Sequence, residues 1–111
     1  MQMKVSNISN IEKKPGCVAA ALAIVGNKWT SLIVMELSQG STRFSYLEKK
    51  LPGISPRTLS QRLHELEEHN LVTKKSFQES PPRVEYSLTQ KGLDLIPILK
   101  SMADWGNKYH P

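Results

Sequence analysis

Gly53-Ile54-Ser55-Pro56-Arg57-Thr58-Leu59-Ser60-Gln61-Arg62-Leu63-His64-Glu65-Leu66-Glu67 decides how this chain is read. It has the pattern of a tight turn followed by an amphipathic helix. Ser55 suits the N-cap, and Pro56 suits the first helical position, where a missing N–H costs nothing. Leu59, Leu63 and Leu66 recur at helical spacing and are expected to be buried together. The other face of the leading half carries Arg57, Thr58 and Gln61, which have the reach and chemistry for phosphate oxygens and base edges in a major groove. Arg62 flanks the leucine stripe, so it either holds a structural ion pair or touches a phosphate. Glu65, Glu67 and Glu68 make the far half acidic. The helix is therefore expected to approach a polyanion by its N-terminal end.

Working upstream, Ser45-Tyr46-Leu47-Glu48 reads as a capping box opening a short helix through Leu51, which Pro52-Gly53 then breaks. Asn27 is expected to cap an earlier helix in which Trp29, Leu32, Ile33 and Leu37 share the apolar face and which Gly40 stops. Residues 17–25 are Ala-rich and read as a first helix ending at Gly26. Ser41-Thr42-Arg43 reads as a turn or a short strand. Downstream, the period changes to that of strands. Residues 71–77 and the alternating Arg83-Val84-Glu85-Tyr86-Ser87-Leu88 form a β-hairpin across a double-proline turn, with Val84, Tyr86 and Leu88 on one face. Thr89 then caps a last helix running towards Tyr109. Its apolar face holds Leu93, Ile96, Leu99, Met102 and Trp105, widened by Leu95 and Ile98. Pro97 is expected to kink it near Leu93.

The predicted fold class is mainly α with a small β-hairpin wing (α+β), a winged helix-turn-helix. Residues 1–16, polar and Lys-rich without periodicity, read as a flexible arm. Residues 17–111 form the single domain that a 111-residue chain allows.

Lys and Arg number 15 against 10 Asp and Glu. That favours an anionic partner without identifying it. Residues 41–62 hold Arg43, Lys49, Lys50, Arg57 and Arg62 against the one acid Glu48, so one side of the helices is expected to be positive. No apolar run is long enough for a signal peptide or a bilayer span. The Asn7-Ile8-Ser9 sequon then reads as chance. A single cysteine cannot form an intrachain disulfide, which fits a reducing cytoplasm. His64, His69 and His110 lack metal-ligand spacing. No nucleophile–base–orienter set and no glycine-rich phosphate loop is visible. The expectation is no enzyme, no metal and no cofactor.

Arg83 beside the double proline is a candidate wing contact to DNA; otherwise it is a strand-edge charge. Lys74 and Lys75 read as edge charges. Lys28 stands at a helix start, where the helix dipole disfavours a cation, and that placement would make sense facing a phosphate. Trp29 and Trp105 read as core or interface aromatics; the rival is a small apolar pocket that they would line with Tyr46 and Met102. Cys17 is either a buried small hydrophobe or a reactive thiol. A helix N-terminus with Lys13 and Lys14 nearby favours the thiolate.

The chain resembles the HxlR-type winged helix-turn-helix regulators of bacteria. The matching segments include Cys17, Ala20-Ala21-Leu22, Lys28-Trp29, Arg43-Phe44, Leu51-Pro52-Gly53-Ile54-Ser55, Leu59-Ser60-Gln61-Arg62-Leu63, Pro82-Arg83-Val84-Glu85-Tyr86-Ser87-Leu88-Thr89 and Ala103-Asp104-Trp105. They cover nearly everything after residue 16, and their order is more specific than any one of them. The resemblance implies a transcriptional regulator that binds double-stranded DNA as a homodimer through its terminal helices. Ala20, Ala21, Ile24, Leu95, Ile98, Leu99, Met102 and Trp105 are the interface candidates. Ser55, Arg57, Thr58, Gln61, Arg62, Arg83 and Lys28 are the DNA-binding candidates. Some members sense oxidants or electrophiles through a cysteine at the position of Cys17. The family often has proline directly after it, whereas here Val18 follows and Pro15 precedes. Two rival readings remain: a regulator answering a small molecule without redox chemistry, and a winged-helix protein-interaction module.

Overall fold

Two helices meeting at 81° open the described chain: α1, Val18–Val25, and α2, Lys28–Leu37. The computed structural model describes residues 17–110. The expected arm at 1–16, including Lys13, Lys14 and the sequon, lies outside the described residues, as does Pro111. The α1–α2 corner is held by polar side chains from the second helix. Asn27 accepts from the N–H groups of Trp29 and Thr30 at 2.9 and 3.2 Å. The Thr30 hydroxyl donates to the Ile24 carbonyl at 2.6 Å, and Ser31 donates to Val25 at 3.1 Å. The last carbonyls of α1, which have no partner within their own helix, are satisfied by the first turn of α2.

That arrangement rotates α2 away from the expected face. Thr30, Ile33, Val34 and Leu37 are buried, while Leu32 is 39% exposed. Thr30 turns inwards because its hydroxyl already has a carbonyl to serve.

After α2 come β1, Thr42–Arg43, and α3, Phe44–Lys50. The expected capping box does not form. Arg43 is the N-cap of α3 with no side-chain cap bond, and Ser45 sits inside the first turn. The cause is tertiary. Thr42 and Arg43 pair with Tyr86 and Glu85 in the sheet, so the chain passes from strand to helix without a free capping residue.

Helix α4, Pro56–Glu68, forms as the sequence reads. Ser55 is its N-cap, Pro56 occupies the first turn, and Leu59, Leu63 and Leu66 are buried. It ends in a Schellman turn, a feature absent from the sequence reading. Asn70 takes φ 61°, Leu71 N–H donates to Leu66 at 2.9 Å and Asn70 N–H to Glu67 at 2.9 Å. Asparagine tolerates this left-handed conformation, and the apolar contact the motif requires comes from the buried pair Leu66 and Leu71. Lys91 Nζ donates to the neighbouring His69 carbonyl at 2.7 Å.

Strands β2, Val72–Phe77, and β3, Arg83–Leu88, form the wing. With β1 they make an antiparallel sheet of order β1-β3-β2. Register pairs Val72 with Leu88 and Phe77 with Arg83. The turn between the strands contains a cis Ser80–Pro81 bond. Tyr86 is buried as the alternation requires. Burial pushes its hydroxyl above the ordinary 10.0, and the nearby Glu67 carboxylate adds to the effect.

Helix α5, Gln90–Tyr109, is capped by Thr89, whose hydroxyl accepts from Gly92 N–H at 3.1 Å. Gly92 is buried, and a Cβ there would stand 2.4 Å from the Leu71 carbonyl oxygen. The helix can lie this close to the end of the α4–β2 turn only without a side chain. Pro97 does not end the helix. It and Leu93, whose carbonyl it cannot serve, both lie on the exposed side.

The core is one cluster: Ile33, Val34, Leu37, Leu47, Leu51, Leu59, Leu63, Leu66, Leu71, Val72, Tyr86, Ile96 and Leu99. At about 1.5–3 kcal/mol per large apolar side chain, this burial dominates the stabilisation of the domain. No single described helix is long and apolar enough to cross a membrane.

Candidate nucleic-acid interface

The buried leucines of α4 orient its opposite face outwards, and the Ser55 cap fixes where that face starts. Ser55 Oγ accepts the Thr58 N–H at 3.1 Å and donates to Thr58 Oγ1 at 2.9 Å. Both hydroxyls are thus engaged in shaping the helix start. Beside them Arg57 and Gln61 are exposed, and neither has an ion pair or side-chain hydrogen bond among the described residues. Arg62 is different. Its Nη1 holds both Glu65 oxygens, at 2.7 and 2.9 Å, and its Nε is buried with no partner. Of the two roles left open for it, the structure displays the ion pair.

Lys28 is exposed in the first turn of α2, with its ammonium 4.7 Å from the Trp29 ring centre. The Trp29 ring in turn approaches Gly53, in the turn before α4. Lys28 therefore stands on the α2 side of the same turn. Gly53 has φ 91°, which a residue with a Cβ rarely adopts, so this turn needs the glycine that the sequence places there.

Arg83 opens β3, which pairs with β1 only at Glu85 and Tyr86, so that side of Arg83 is an open strand edge and the strand-edge reading stands beside the wing contact. Its Nη1 engages the Glu79 carboxylate, with Oε1 at 2.6 Å, and its Nε meets Glu85 Oε2 at 3.0 Å. Its guanidinium carbon lies 4.0 Å from the Phe77 ring centre. Lys74 and Lys75 stand exposed on the edge strand β2, as expected.

The sequence reading missed a surface that only the three-stranded sheet creates. Arg43, Phe44 and Ser45 at the start of α3 face Pro82, Arg83 and Val84 of the wing across an open groove. Arg43 is exposed and has no ion pair among the described residues. The signal available in sequence was the basic run at 41–62, which includes Arg43 but gives no hint of the wing opposite it.

At the other end of the domain, Ala21 and Ile24 of α1 lie alongside Leu95 and Ile98 of α5, sharing a groove with Leu71, Lys91 and Asp94. Ala20 is exposed on α1. Ile98, Met102, Pro97, Ser101 and Trp105 line a second, shallow apolar groove on α5. The Trp105 and Tyr109 ring centres are 5.4 Å apart. Leu99 is the exception among the interface candidates. It is buried in the core because it shares the inward face of α5 with Ile96, so it is unavailable to a partner. The four-residue apolar pocket does not assemble either. Tyr46 points out from α3, Trp29 packs against the core, and only Met102 and Trp105 come together. Cys17 is half-buried at the N-cap of α1, with no side-chain cap bond.

A family model described as HxlR-like helix-turn-helix matches residues 24–111. The chain is 42% identical over 92 residues to an HTH-type transcriptional regulator of Methanothermobacter thermautotrophicus, covering 83% of this chain and 70% of that one. It is 45% identical over 89 residues to the HTH-type transcriptional regulator YvaP of Bacillus subtilis, covering 80% and 82%. Among solved structures, the redox regulator HypR in its oxidized form aligns with a TM-score of 0.79 and 34% identity, over 85% of this chain and 97% of that one. The reduced form of the transcriptional regulator YodB from B. subtilis aligns with a TM-score of 0.77 and 31% identity, over 87% and 95%.

Proposed function

The chain belongs to the HxlR-like helix-turn-helix family of transcriptional regulators, and from that premise we propose that it binds a specific, pseudo-palindromic DNA site as a homodimer. The carrying observation is α4: Arg57 and Gln61 stand exposed and uncommitted at the capped end of a helix whose other face is the core. In this reading Gln61 reads a base edge, with bidentate pairing to adenine as its best geometry. Arg57, Lys28 and Arg43 neutralise phosphates, and Ser55 and Thr58 set the helix start that aims them. Arg83 adds a wing contact once it leaves its carboxylates. The two copies would place their recognition helices one helical turn apart, about 34 Å.

Selection of bound duplexes from random sequence tests this directly, and an unenriched pool would sink it. On the selected site, Gln61→Ala should cost about 1–3 kcal/mol and relax preference at one position. Arg57→Ala should weaken all duplexes more evenly. If neither changes affinity, the reading has chosen the wrong face of α4.

The dimer is proposed to form through α1 and the outer face of α5. The exposed Val18, Leu22, Ile98, Met102 and Trp105 support it, since surface apolar groups concentrated on two helices mark an interaction site.

A redox role for Cys17 is the finer reading, supported by the likeness to HypR and YodB and by the thiol's place at the start of an interface helix. With one cysteine per chain, oxidation gives an intersubunit disulfide or a mixed disulfide with a small thiol, and an electrophile gives an adduct. Each would alter the packing of α1 on its partner. A shift of about 1.4 kcal/mol between competent and incompetent arrangements changes occupancy about tenfold. Diamide titration, followed by intact mass and operator binding together, should show modification and a change in affinity, both absent in Cys17→Ser. Modification without a change in affinity would leave Cys17 a packing residue.

A further inference from the structure

The wing carries its own opposition to DNA. Arg83 is the cation at the base of the wing turn, yet its guanidinium is shared by Glu79 and Glu85, which leaves the trio with one net negative charge. The two carboxylates are not equivalent. Glu85 lies in the central strand, opposite Lys75 of β2 and Arg43 of β1 in register. It keeps cationic neighbours whatever Arg83 does. Glu79 sits in the turn and has Arg83 as its one ion-pair partner among the described residues. Its side chain is 47% exposed, against 26% for Arg83, so it forms the outer side of the clamp. Phe77 closes the inner side, stacked 4.0 Å from the guanidinium carbon.

We propose that Glu79 is a brake on the wing: it holds Arg83 Nη1 away from the DNA backbone and thereby sets how much Arg83 adds to affinity. The groove between Arg83 and Arg43 is the path along which a phosphate would approach. A phosphate arriving there meets an Arg83 whose Nη1 is already engaged by the Glu79 carboxylate unless the pair opens. The pair is half-exposed, so opening is cheap enough for DNA to compete with it. Affinity is lowered by that competition, and the loss is uniform across sequences because the contact is to backbone. This inference rests on the DNA-binding reading above.

The test is a double-mutant cycle on the selected duplex, using the full chain and checking each variant's fold by circular dichroism. Glu79→Gln should tighten binding about threefold to tenfold and steepen the salt dependence by about one phosphate contact. In an Arg83→Ala background the same substitution should gain nothing, since no guanidinium is left to release. An equal gain in both backgrounds would mean that Glu79 acts only as bulk negative charge. Unchanged or weaker binding by Glu79→Gln would mean that it aims Arg83 rather than restraining it. Either result overturns the proposal while leaving the DNA-binding reading intact. A wild-type chain that binds no duplex at low salt overturns both.

Discussion

Raising salt from about 50 to about 200 mM should weaken binding of the selected duplex by roughly a thousandfold or more. The expectation follows from counterion release, in which each phosphate neutralised by a cation frees condensed ions, so affinity falls steeply with salt. The figure supposes that each protomer neutralises about four phosphates. Arg57, Lys28 and Arg43 have no internal carboxylate to satisfy, and Lys49 and Lys50 are exposed at the end of α3. Arg62 and Arg83 contribute less because both are ion-paired. Fluorescence anisotropy across a salt series would give the slope. A nearly flat line would show that the basic side is not where DNA lies.

The double substitution Ile98→Glu and Trp105→Glu should abolish self-association and lower DNA affinity by about a hundredfold or more. Both side chains are well exposed, at 54% and 68%, so the fold has little reason to suffer. Two new carboxylates on each copy would face one another across the proposed interface, a repulsion that a small apolar contact cannot offset. The affinity loss arises because two tethered recognition helices bind with an effective concentration that separate monomers lack. Light scattering at micromolar concentration and a titration of the selected site measure the two halves of the claim. A double variant that remains dimeric would place the interface elsewhere.

Local features of this chain were legible in the sequence, and features created by tertiary contacts were not. The start and buried face of α4 could be read because a Ser-Pro cap and a leucine stripe act within a few residues. Thr89, Asn27 and the alternation around Tyr86 were legible for the same reason. The failures have a common physical cause. Ser45 could not be seen to miss its cap, because the pairing of Arg43 with Glu85 spans the chain from one side of the helix-turn-helix to the other. Thr30 displaced Leu32 from the core through a bond to a carbonyl in a different helix. Leu99 was read as a dimer-interface residue because α5 carries more apolar residues than one face can hold, and composition does not say which of them face inwards. At the candidate site, Arg57, Gln61 and Lys28 were picked from residue type and position and are exposed. That Arg83 is clamped depends on how a turn folds back, which no spacing rule reports.

The attachment of α1 carries a consequence for the order in which this protein is built. None of its eight residues is buried, and two hydroxyls from α2 tie down its last carbonyls. A helix this short lacks the intrinsic stability to persist alone in water. The rest of the domain has its own core, on which α1 packs only through the half-buried Ile24 and Val25, so in the proposed dimer α1 would fray until a second chain covers it. Maturation of the proposed dimer would then be a two-step affair, in which protomer concentration governs the ordering of one segment at the N-terminal edge. Newly made chains at low abundance would carry a finished reading head on an unfinished molecule.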